Sequence, residues 1–203
     1  CLSLGQSSLE KNDSAAALDY FNRSLDTPDN LGEKYHPLQA VAHINYWKGV
    51  AYRSLGEEDK AMKCFILSAE EKGDFIDMAV SNFSELTYYK ALSLKEIGKV
   101  TEAYQILEEM KEYASTKLKE KAKIDYFATS LPLLLVFEDD IQKRNTIEAL
   151  YLLGLAEMGL ENNQYGSDKF KKVLELNSSH IGAKDHLDQV DQNRIYITSN
   201  NER

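Results

Sequence analysis

The sequence predicts an all-α fold built from repeated helical hairpins, and three observations carry that expectation. Only three prolines (Pro28, Pro37, Pro132) and ten glycines interrupt 203 residues. Long stretches are therefore free of helix breakers, where a sandwich of short strands would need many more turns. Four segments align without gaps: LGQSSLEKNDSAAALDYF, KGVAYRSLGEEDKAMKCF, KALSLKEIGKVTEAYQIL and LGLAEMGLENNQYGSDKF. A short polar turn divides the last three of them, as LGEED from Leu55, IGKV from Ile97 and LENN from Leu160.

In each segment a small residue is followed twelve positions on by another, and four further on by a large apolar one. The sets are Gly5/Ala17/Phe21, Gly49/Ala61/Phe65, Ala91/Ala103/Leu107 and Gly154/Gly166/Phe170. Small residues on two antiparallel helices let the backbones approach, and the large residue one turn on fills the hole beside them. Gly56 and Gly98 suit the left-handed position that ends a helix. One such segment is a weak signal, whereas four in register specify helical hairpins.

This pattern resembles the tetratricopeptide repeat family. The second segment fits it best, with Gly49, Tyr52, Gly56, Ala61 and Phe65. The third has Ala91, Leu94, Gly98, Ala103 and Leu107, and the fourth departs further, with Glu157 in the tyrosine place and Gly166 in the alanine place. The resemblance implies tetratricopeptide-like hairpins stacked into a right-handed superhelical solenoid. The hairpins are expected at about 1–27, 38–72, 75–121 and 139–177, with a capping helix at 179–192, in a single domain over 1–193. Cys1 already lies inside the first helix of its repeat, so the chain reads as part of a longer one.

Equivalent small residues stand 44, 42 and 63 apart, against a usual repeat of about 34. Helices longer than usual are expected, including one from Asp74 to Gly98. The longest interval contains KIDYFATSLPLLLVFEDDIQKRN, and a connector over 123–138 is expected to be buried, because LPLLLVF is too apolar for a surface. Similar text precedes the last hairpin in a group of large bacterial proteins that join a domain of unknown function to a tetratricopeptide tail. Glu138, Asp139 and Asp140 then fall in the first turn of the next helix, where carboxylates cap free N–H groups and oppose the helix dipole. A glycosidase-like pair needs carboxyl groups facing each other about 5–9 Å apart, which adjacent residues on a helix start do not provide. Lys143 and Arg144 are spaced to pair with these acids.

After Phe170 the chain continues into a final helix near Ser178 or Ser179, with Ile181, Leu187 and Val190 as its apolar side. Such a helix covers the open core at the end of a repeat array. Residues 194–203 read as a fraying tail.

Composition narrows the functional classes. A net charge of −9 argues against nucleic acid, which needs a basic surface. No stretch approaches the roughly 20 apolar residues of a membrane span. Cys1 and Cys64 cannot form a disulfide framework, and Cys64 reads as a reduced, packed thiol, which fits the cytoplasm, with the periplasm as the alternative. His36, His43, His180 and His186 have no metal-ligand spacing, and no phosphate loop, nucleophile elbow or Cys-x-x-Cys occurs. No metal, cofactor or catalytic residue is expected.

One pattern points to binding. Tyrosines stand three residues before the small residue in the last three repeats, as Tyr46, Tyr88 and Tyr151. One turn on come Val50, Leu92 and Leu155, and then Arg53, Lys95 and Met158. The family resemblance places these positions on a concave face, aromatic and apolar with a basic stripe. Two readings stand: contact with a protein or peptide, or packing of lengthened helices across the groove. The lysine and asparagine of the family's clamp for C-terminal carboxylates are absent from these places. The expected function is a non-catalytic interaction or scaffolding module, holding a partner protein, a peptide or another domain of its own parent chain. An accessory carbohydrate-binding role is the alternative, with Tyr126 and Phe127 stacking on sugar and Asp125 and Asp140 bonding hydroxyls, near Arg144. Self-association into a homo-oligomer is a third reading.

Overall fold

The computed structural model describes residues 1–26, 41–71, 83–121 and 141–190, and no strand occurs among them. Four helix pairs follow in order: α1 (Leu2–Glu10) and α2 (Ser14–Arg23), α3 (Ala42–Ser54) and α4 (Glu58–Glu70), α5 (Glu85–Glu96) and α6 (Val100–Lys119), α7 (Ile141–Gly159) and α8 (Asn163–Leu176). A last helix, α9, spans 181–190. The chain falls into two compact units, Cys1–Ile106 and Leu107–Arg203. The buried connector expected over 123–138, the acids Glu138 to Asp140 and the tail over 194–203 lie outside the described residues.

The turns inside the four pairs share one chemistry. Asn12, Gly56, Gly98 and Glu161 have φ of 59°, 76°, 83° and 69°. The amide after each reaches back five residues: Asp13 to the Ser8 carbonyl, Glu57 to Tyr52 and Lys99 to Leu94 at 2.9 Å, and Asn162 to Glu157 at 2.8 Å. This bond satisfies a carbonyl that the ending helix leaves free, and it requires a left-handed residue just before it. Gly56 and Gly98 supply that conformation without strain. Asn12 and Glu161 supply it without being glycine.

The small–large register closes three of the pairs. A Cβ added at Gly5, Gly49 or Gly154 would lie 2.3, 2.5 or 2.4 Å from the ring of Phe21, Phe65 or Phe170 respectively. All three rings are fully buried. Each such burial stabilises by about 1.5–3 kcal/mol. Where Ala91 replaces the glycine in sequence, Leu107 replaces the phenylalanine.

Within unit 1, α3 packs on α4, α2 and α5. Its contacts with α2 bury Ala17, Phe21, Ile44 and Ala51, flanked by Leu2, Leu9, Leu18, Leu25, Val41 and Trp47. Buried hydroxyls cross the next junction: Ser93 Oγ donates to Ser68 Oγ at 2.7 Å, and Ser68 Oγ donates to the Ala42 carbonyl at 2.8 Å. The long helix expected from Asp74 is corrected here, because α5 begins only at Glu85. Ser84, with extended backbone, accepts from the Leu86 amide at 3.2 Å, while the Thr87 hydroxyl accepts from the Ser84 amide at 3.1 Å. That reciprocal cap defines a helix start.

Within unit 2, the later part of α6 runs against α7. Lys111 pairs with Glu157 at 3.2 Å, Lys117 pairs with Glu148 at 2.8 Å, and Asn145 donates to the Lys117 carbonyl at 3.0 Å. Glu157 also accepts from Asn162 at 2.8 Å, so the carboxylate in the family's tyrosine place ties α6, α7 and the following turn together. Helix α9 closes over α7 and α8. His180 caps it by accepting from the Ala183 amide at 3.2 Å. Its buried stripe is Ala183, His186 and Val190, while Ile181 is 71% exposed. The apolar side expected from Ile181, Leu187 and Val190 is thus rotated. The reason is His186, whose ring stacks on Phe170 at 5.4 Å and takes a core position that hydropathy assigns to solvent.

Candidate functional site

Helices α3 and α5 of unit 1 carry five of the residues expected to face a partner. Tyr46, Val50 and Arg53 recur at 3.6-residue spacing on α3, and Leu92 and Lys95 do so on α5. All five are half-buried. Tyr88, the sixth, is buried at 6% exposure.

The upper part of this seam is aromatic. Tyr46 lies 5.4 Å from Trp47, 5.8 Å from Phe65 and 5.5 Å from Tyr89, measured between ring centres. Tyr89 in turn meets Tyr88 at 5.3 Å, Trp47 at 6.2 Å and His43 at 6.2 Å. Edge-on and tilted rings at these distances add to the apolar burial. Burial pushes the Tyr46 and Tyr88 hydroxyls above the usual tyrosine range, with the Glu96 carboxylate adding to the effect at Tyr46. Neither tyrosine is a base or nucleophile at neutral pH.

The lower part is ionic. Arg53 makes a close ion pair with Glu96 of α5, reaches Glu58 at 3.6 Å and lies over the Phe65 ring at 4.7 Å. Its hydrogen bond to Glu96 comes first among the effects that raise its pKa. Lys95 sits over the Tyr104 ring at 4.5 Å. The basic stripe read from sequence is therefore balanced at Arg53 by two carboxylates. Glu58 was within reach of a sequence argument, being five residues on; Glu96, 43 residues away, was not. Trp47, Tyr89 and His43 join the cluster without any signal in the spacing that pointed to Tyr46 and Tyr88.

Tyr151 and Leu155 belong to unit 2 and are buried, at 8% and 0% exposure. The Tyr151 ring meets His180 at 4.5 Å and Phe170 at 5.8 Å, and a Cβ at Gly182 of α9 would lie 2.2 Å from its hydroxyl. Arg144 is exposed on α7. Asp125, Tyr126, Phe127 and Asp140 lie outside the described residues.

Among the described residues, no group of three or more His, Cys, Asp or Glu is placed to hold a metal ion. None of the described helices is long and apolar enough to cross a membrane. Cys64 is buried and in no disulfide, and burial raises its thiol pKa, which disfavours the reactive thiolate.

The tetratricopeptide repeat family model matches residues 42–74. Among solved structures, the chain is similar to a MamA RS-1 ArsTM double mutant, with 19% identity, 95% of this chain and 82% of that chain covered, and a TM-score of 0.30. It is also similar to MamA 41-end from Desulfovibrio magneticus RS-1, with 18% identity, 98% and 86% covered, and a TM-score of 0.27. The match to the family model covers the α3–α4 hairpin, and the other helix pairs are sequential hairpins consistent with tetratricopeptide-like repeats.

Proposed function

We propose that this chain is a non-catalytic interaction module that holds a peptide or a partner domain on the α3–α5 face of unit 1. Tetratricopeptide modules generally serve as protein-interaction scaffolds. The observation that carries the reading is the half-buried state of Tyr46, Val50, Arg53, Leu92 and Lys95 along adjacent helices. Val50 and Leu92 would supply apolar contact, and Arg53 and Lys95 would orient a polar partner. Tyr88, Tyr151 and Leu155 then act through packing, by fixing the helices that carry the face. The setting that goes with this reading is cytoplasmic, where a lone packed thiol such as Cys64 stays reduced.

The test uses a photo-crosslinking residue at Val50 or Leu92, with Ile66 on α4 as the comparison site. A partner trapped from the first two and not the third is then titrated against Leu92→Glu and Arg53→Glu, with circular dichroism confirming the fold. At least about a tenfold loss of affinity is expected, as for truncation of a central contact. Unchanged affinity in both variants would remove this face from the function.

A further inference from the structure

The α3–α5 seam contains a titratable ring that the binding reading does not use. His43 stands in the first turn of α3, and its ring lies beside Tyr89 of α5. Its Nδ1 is buried and has no hydrogen-bond partner among the described residues. One turn along α3, the Trp47 Nε1 is likewise buried and unbonded among the described residues, and the Trp47 ring centre lies 6.2 Å from that of Tyr89. A neutral imidazole tolerates that place, at the cost of one unbonded ring nitrogen. An imidazolium does not, since it carries a full charge and a second N–H with no acceptor at Nδ1.

The charges around the ring decide how far this is offset. From α5, Glu85 favours the protonated form, and it is outweighed by burial. From the end of α4, Glu71 is engaged with the Val41 amide. Tyr46, its hydroxyl pushed up by burial, remains neutral well beyond neutral pH. Among the described residues, Glu85 is the one side chain whose charge bears on His43.

We infer that the α3–α5 junction is an acid-sensitive joint, in which protonation of His43 loosens α5 from α3. The sign follows from linkage. His43 in the closed joint binds a proton less readily than a free histidine, whose pKa is about 6.5. As pH falls below that value the open joint takes up the proton first, so closure weakens until the closed form titrates as well. For one proton the open-to-closed ratio rises by at most about tenfold per pH unit. The Arg53–Glu96 pair lies on the same two helices, so opening also disturbs the proposed partner face, although the joint itself does not depend on that reading.

Trp47 is the single tryptophan of the chain and sits inside the joint, so its emission reports closure directly. On the intact chain, the emission is expected to move to longer wavelength as pH falls from 7 to 5. His43→Gln is expected to flatten that change. Glu85→Gln is expected to deepen it, because it removes the carboxylate that steadies the imidazolium. A proton NMR titration, with His43 assigned by the His43→Gln spectrum, is expected to give a value below 6.5. A His43 value at or above 6.5, or an acid shift of Trp47 emission that persists in His43→Gln, would overturn the inference. Should His43→Gln fail to fold, His43→Asn provides the assignment, and the titration alone decides.

Discussion

A Cβ built on Gly49 would lie 2.5 Å from the Phe65 ring, whereas one on Gly56 would meet nothing within 4 Å. The two glycines are therefore needed for different reasons, and substitution separates them. Gly56→Ala meets only the backbone cost of φ at 76°, about 1 kcal/mol. At Gly49 the helix propensity gained by alanine, about 1 kcal/mol, opposes an overpacking cost of about 1–3 kcal/mol, and the ring contact makes the latter prevail. Phe65→Leu should relieve Gly49→Ala and leave Gly56→Ala unchanged. A double-mutant cycle in urea, followed by Trp47 fluorescence, measures this. The expected coupling at Gly49 is about 0.5–2 kcal/mol, and none is expected at Gly56. Ala91 and Leu107 already present the relieved combination in sequence.

At the scale of elements, docking of α9 rests on a close approach at one residue. Gly182→Ala would place a methyl group 2.2 Å from the Tyr151 hydroxyl. The expected outcome is faster hydrogen exchange at amides 183–190 with α7 and α8 still protected; unchanged exchange in α9 would contradict it. The hairpins themselves were legible in sequence, because a small residue and a large one recur sixteen positions apart in all four pairs. Two of the four left-handed turns were legible as glycine. Asn12 is of a type that also takes this place, whereas Glu161 gave no signal, since the backbone bond from the next residue holds it there at a cost its type does not announce. The face of α9 was misjudged because His186 is polar by composition and core by its stack on Phe170. At the candidate site the α3 and α5 positions were legible from spacing, but their burial and charge state were not. Tyr88 is covered and Arg53 is balanced by residues that only the fold brings near.

At the scale of the molecule, each compact unit has its own glycine–phenylalanine joints, with Gly5 and Gly49 in the first and Gly154 in the second. Repeat arrays hold together through neighbouring contacts, so a local defect need not spread through the chain. Gly154→Ala, whose Cβ would lie 2.4 Å from Phe170, is expected to weaken the second unit first. Its far-UV dichroism should then begin to melt in urea before Trp47 emission changes, whereas coincident curves would show one cooperative body. The Ser93–Ser68–Ala42 relay bears on a different question, that of order along the chain. The glycine–phenylalanine joints close each hairpin internally and are alike, so they carry no information about which hairpin stacks on which. The relay acts as an address. If α5 slid by one turn against α4, the buried Ser93 hydroxyl would lose its acceptor, at about 1–3 kcal/mol, while Ser68 kept its bond to the Ala42 carbonyl. The register of α5 on α4 at this junction is thus written inside the core.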